Sequence, residues 1–81
     1  MMEINCSRRK FNVTSEDRII DNGYSYILIT QTYYSNYSHI HPTVSKTVFN
    51  KLLKSGQIVK SDSKYISNYF HTEMDMYEFV D

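Results

Sequence analysis

In residues 43–59, TVSKTVFNKLLKSGQIV, a serine precedes a run whose apolar side chains recur at intervals of three and four. Ser45 suits the position that caps the free N–H groups of a first helical turn, and Val44 before it can pack on Phe49, four positions beyond the cap. Val48, Phe49, Leu52 and Leu53 then share one stripe, while Lys46, Asn50, Lys51 and Lys54 lie off it. Gly56 supplies a residue tolerant of positive φ at the far end, where Lys51 and Lys54 sit against the negative end of the helix dipole. The pattern predicts a helix over about residues 46–55.

What flanks it reads as strand. In residues 24–34, YSYILITQTYY, β-branched and aromatic residues dominate, with Tyr26 and Leu28 on one face and Ile27 and Ile29 on the other, as expected of a central strand. Towards Gln31, Thr32 and Tyr33 the pattern turns amphipathic, so the strand is expected to run out into solvent. Upstream, Ile4 with Cys6 and Phe11 with Val13 alternate in registers that disagree across SRRK, which predicts two short strands with a turn, or one strand with a bulge. EDRIIDNG, residues 16–23, carries a strong turn signal in Asp-Asn-Gly. After the helix, QIVKS, KYISNYF and MDMYEFV read as three strands separated by polar turns at Asp62–Ser63 and His71–Thr72–Glu73. The last places Met74 and Met76 on one face and Tyr77 and Phe79 on the other. The expected fold is α+β: a single compact domain, residues 1–81, with a small antiparallel sheet of four to five strands packed against one α-helix. Its expected core is Ile27, Leu28, Ile29, Val48, Phe49, Leu52, Leu53, Ile58 and Val59.

Composition narrows the function classes. At 81 residues the chain buries roughly 60 to 65% of the surface it exposes when unfolded, so its core is small. With 41% hydrophobic and 15% aromatic residues it is too apolar for a disordered tail. No apolar run approaches the roughly 18 residues of a membrane span, and MMEINCSRRK puts an acid and polar groups where a signal peptide needs an apolar core. With a lone cysteine, Cys6, those features lead us to expect a cytoplasmic protein with no membrane partner, in which the glycosylation sequons at Asn5, Asn12 and Asn36 are accidental. Net charge is zero, which argues against a protein devoted to a polyanion, yet the charge is unevenly spread. Residues 46–64 carry five lysines against Asp62, and residues 65–81 carry four acids and no base.

Catalytic and metal chemistry find little support. His39 and His41 stand two apart, as a metal site on a strand would use, but no spacing matches a zinc or iron signature, and neither a metal nor another cofactor is expected. There is no Gly-x-Ser-x-Gly elbow and no glycine-rich phosphate loop, with only two glycines in all, so the protein is expected not to be an enzyme. The eight tyrosines are more informative. A core this small cannot hold them all, and tyrosine combines large contact area with few rotatable bonds and a water-tolerant hydroxyl. Three of them, Tyr33, Tyr34 and Tyr37, lie with His39 and His41 in QTYYSNYSHIHP, which contains no Lys or Arg. Phosphate attraction is therefore missing where aromatics are densest, and these five residues are the expected surface for a protein partner or a second copy of the chain.

Two resemblances bear on function. In length and AT-rich composition the chain resembles the small accessory proteins of phages and mobile elements of low-GC Gram-positive bacteria, which implies a small inhibitory protein acting on a host enzyme such as a defence nuclease, as anti-CRISPR and other anti-defence proteins do. Residues 43–59 resemble the end of a winged helix-turn-helix domain, where a capped recognition helix closes with Leu-Leu-Lys-x-Gly-x-Ile and passes into a two-stranded wing. That resemblance implies Ser45, Lys46, Asn50 and Lys51 at a DNA groove and Lys60 and Lys64 at phosphates, with Lys54 also among the nucleic-acid-binding residues. Upstream, a β-rich segment stands where that family has supporting helices. The preferred expectation is a non-catalytic regulatory or inhibitory protein that binds a host protein; the alternative is a DNA-binding regulator.

Overall fold

A computed structural model of the chain describes residues 2–6, 9–29, 42–66 and 73–80. In chain order the elements are β1 (Met2–Cys6), β2 (Arg9–Val13), β3 (Arg18–Asp21), β4 (Tyr26–Ile29), β5 (Thr43–Val44), α1 (Lys46–Lys54), β6 (Ile58–Ile66) and β7 (Glu73–Phe79). β1 and β2 form a two-stranded antiparallel ribbon, and the others make a five-stranded antiparallel sheet in the order β5-β4-β3-β7-β6. The fold is thus a small α+β domain, as the hydrophobic patterning indicates.

Directly opposed residues of antiparallel strands share a face, so the registers sort the side chains. Ile19 stands opposite Leu28 and Tyr77, and Phe79 opposite Ile58, on the face that α1 covers with Phe49 and Leu52. The ribbon adds Ile4, Cys6 and Val13 to the same buried cluster, which Val44 completes. Ile20, Ile27 and Met76 lie opposite one another on the other face.

The helix forms where its sequence signals put it. The Val48 N–H donates to Ser45 Oγ at 3.2 Å, and Val44 and Phe49 are both buried in one cluster, the arrangement of a hydrophobic staple. At the other end the Gln57 N–H reaches the Leu52 carbonyl at 3.0 Å and the Gly56 N–H the Leu53 carbonyl at 3.1 Å. Gly56 takes φ +77, the left-handed conformation this closing pattern needs.

Several strand expectations are corrected. The middle strand of the sheet is β3, from RIID, while β4 is an interior strand one place nearer the β5 edge. Two adjacent isoleucines, buried on opposite faces at 0% and 2% exposure, are too short a run to display alternation, and the neighbouring turn signal masked them. That turn is present: Asn22 Oδ1 accepts from the N–H groups of Tyr24 and Ser25, and Gly23 has φ +90. Asp62–Ser63 is a bulge and not a turn. Lys60 faces Tyr77 and Lys64 faces Asp75, so β6 carries two residues more than β7 between those pairs. Of the expected core, Leu28, Phe49, Leu52 and Ile58 are buried, but Leu53 is 38% and Val59 46% exposed.

Phe49→Ala should cost about 3–5 kcal/mol in urea unfolding, because it empties the junction of helix and sheet, whereas Leu53→Ala should cost under about 1 kcal/mol. Equal losses would contradict this packing.

Candidate functional site

Burying Phe49 and Leu52 turns the opposite side of α1 outward, and Lys46, Thr47, Asn50, Lys51 and Lys54 are all exposed. No acid occurs from residue 45 to residue 60, and Lys46, Lys51 and Lys54 pair with no carboxylate among the described residues. Lys46 occupies the first turn, where the helix dipole disfavours a cation by roughly 0.3–1 kcal/mol. A position that breaks a local rule is a place to look for function. The hydroxyl of Ser45, by contrast, is committed to the cap.

Lys60 and Lys64 behave differently. The register sets both beside Asp75, at 3.6 Å and 2.6 Å from its carboxylate oxygens. The hydrogen bond from Lys64 and the charges of both lysines hold the Asp75 carboxyl below its ordinary range, and the same bond raises Lys64. Asp21 faces Asp75 across β3 and β7, so two carboxylates lie side by side with two lysines on one flank. Tyr77 is raised in turn, first by burial and then by Asp75 and Asp21. Thus, among the described residues, the helix lysines are unpaired and Lys60 and Lys64 of β6 are not.

Tyr33, Tyr34, Tyr37, His39 and His41 lie outside the described residues. Among the four described tyrosines, Tyr26 and Tyr77 pack on Phe49, Tyr65 is half-buried, and Tyr24 stands 97% exposed at the β3–β4 turn. Tyr24 was missed because nothing in YSYILI separates a turn-tip tyrosine from a strand tyrosine. It borders a shallow cleft of about 330 Å³ that also touches Asp21, Tyr26 and Lys46. No group of three or more potential metal ligands occurs among the described residues, and no helix among them is long and apolar enough to cross a membrane.

Cys6 is buried, and burial pushes its thiol up to about 11, so it is a neutral core group at physiological pH. Comparison with known proteins finds no matching family, no matching curated protein and no matching solved structure.

A raised acid keeps its stabilising neutral form below the unfolded pKa and loses that advantage as pH rises through the folded one. The free energy of unfolding should therefore fall from pH 9.0 towards about 11 as Cys6 titrates. Cys6→Ala should make that decline shallower in urea titrations at stepped pH; an unchanged slope would show that the thiol is not held neutral by the fold.

Proposed function

We propose that the protein is a small non-catalytic regulatory or inhibitory protein that binds a host protein, a nucleic-acid enzyme being the favoured target, through Tyr33, Tyr34, Tyr37, His39 and His41. The observation behind this reading is the way the flanks of that stretch are held. Ile29 ends β4 and Pro42 leads into β5, and the Leu28 N–H donates to the Pro42 carbonyl at 2.9 Å. Two strands paired so closely need a connection of about two to five residues. Here residues 30–41 stand between them, with three of the eight tyrosines and no charged side chain. Extra length rich in aromatics between neighbouring strands is a common form of binding segment. The phage origin of such an inhibitor rests on size and composition alone.

A second reading, a DNA-binding regulator, is favoured by the unpaired lysines of α1 and weakened by the hairpin, since Lys60 and Lys64 are already bound to Asp75. α1 is followed by the β6–β7 hairpin, in the order of a recognition helix and wing, but what packs beneath it is a sheet.

Purified protein titrated against mixed-sequence duplex and single-stranded DNA over a salt series, with its solution mass recorded in parallel, separates the readings. The protein-binding account expects no DNA binding at moderate salt, and loss of a captured host protein on Tyr34→Ala with Tyr37→Ala but not on Lys51→Ala with Lys54→Ala. Micromolar binding that weakens steeply with salt and disappears with the lysines would replace it by the second reading.

A further inference from the structure

A cleft of about 400 Å³ separates β1 from α1, lined by Glu3, Ile4 and Asn5 on one side and by Val48, Lys51 and Leu52 on the other. The ladder fixes what β1 presents to it. Only two residues join β1 to β2, so the closing pair, Cys6 and Arg9, is a hydrogen-bonded pair. Alternation makes Ile4 with Phe11 and Met2 with Val13 hydrogen-bonded pairs as well, and leaves Glu3 with Asn12 and Asn5 with Lys10 as the others. The backbone N–H and C=O groups of Glu3 and Asn5 therefore point away from β2. Among the described residues nothing hydrogen-bonds to them on that side. Among the described residues β1 keeps an unpaired strand edge, with α1 across a gap and β5 close by.

From this we infer that the cleft takes an extended segment of a partner polypeptide, which adds to β1 as a further strand. Main-chain hydrogen bonds to Glu3 and Asn5 would supply the attachment, and alternate side chains would supply selectivity. Side chains turned to the core side meet Ile4, Val48 and Leu52, so they are apolar. An acidic residue is matched to Lys51, which is exposed and unpaired, whereas the nearby carboxylate of Glu3 already faces Lys10 at 3.8 Å. This surface is separate from residues 33–41 and does not rest on the role proposed for them.

The test is a titration of the ¹⁵N-labelled full chain with an acetylated, amidated peptide of alternating valine and threonine with one central glutamate. The same peptide N-methylated at successive amides along its length, so that neither edge can donate, is the control. Saturable binding should slow amide exchange at Glu3 and Asn5 by about tenfold or more, and Lys51→Glu should weaken it by about tenfold. N-methylation should abolish it. Asn5→Pro should abolish it too while leaving the ribbon intact, because that N–H takes no part in the β1–β2 ladder. If the proline variant fails to fold, the N-methylated peptide decides the matter without altering the protein. Equal binding of the N-methylated peptide, no saturable binding by the parent peptide, or exchange already slow in a concentration-dependent dimer would each overturn the proposal.

Discussion

Phe49 meets the ring of Tyr26 in a stack, with centroids 3.8 Å apart and planes 12° from parallel, and takes the ring of Tyr77 edge-on at 4.8 Å and 88°. Tyr26 is on β4 and Tyr77 on β7, the two neighbours of β3, so one helical side chain ties α1 across three strands. Each such aromatic pair contributes about 0.5–1.5 kcal/mol beyond area burial. That matters because a nine-residue helix does not hold together alone in water. Once Phe49 is seated, Leu52 follows into the core and the angle of the helix is set. The outward lysines and the cleft against β1 inherit their positions from that seating.

The helix was legible in the sequence because each of its signals is local: the Ser45 cap, the Val44–Phe49 staple and Gly56 at positive φ act within a few residues. The sheet was less so. RIID became its middle strand only because partners from both sides bury Ile19 and Ile20, and a four-residue strand carries no periodicity of its own. Arg9 and Lys10, at the end of the stretch where two registers disagreed, begin β2, which pairs with β1 residue for residue. The exposure of Leu53 and Val59 follows from helix angle and edge position, neither of which hydrophobicity encodes.

For the candidate sites, the sequence located the lysines but not their pairing. Lys60 and Lys64 looked equivalent to Lys51 and Lys54 by charge, yet the bulge at residues 61–63 brings both alongside Asp75. That long-range match between an acidic strand and its basic neighbour uses up the charge that a nucleic-acid wing would need. Neither the open edge of β1 nor its cleft with α1 was visible, because both arise from where the ribbon settles against the helix. Among the described residues, what remains unspent at the surface is a basic helix face and an unpaired strand edge.

The central claim is that the tyrosine-rich stretch of residues 33–41 serves contact with a partner and the described core serves the fold. Its most direct test replaces residues 31–39 by Asn-Gly, the two-residue connection that paired antiparallel strands favour and one that keeps Ile27 opposite Thr43, and measures thermal unfolding by circular dichroism. A cooperative transition close to that of the parent chain, with the same far-ultraviolet spectrum, is the expected result. A chain that no longer folds would contradict the claim and assign those tyrosines to the core.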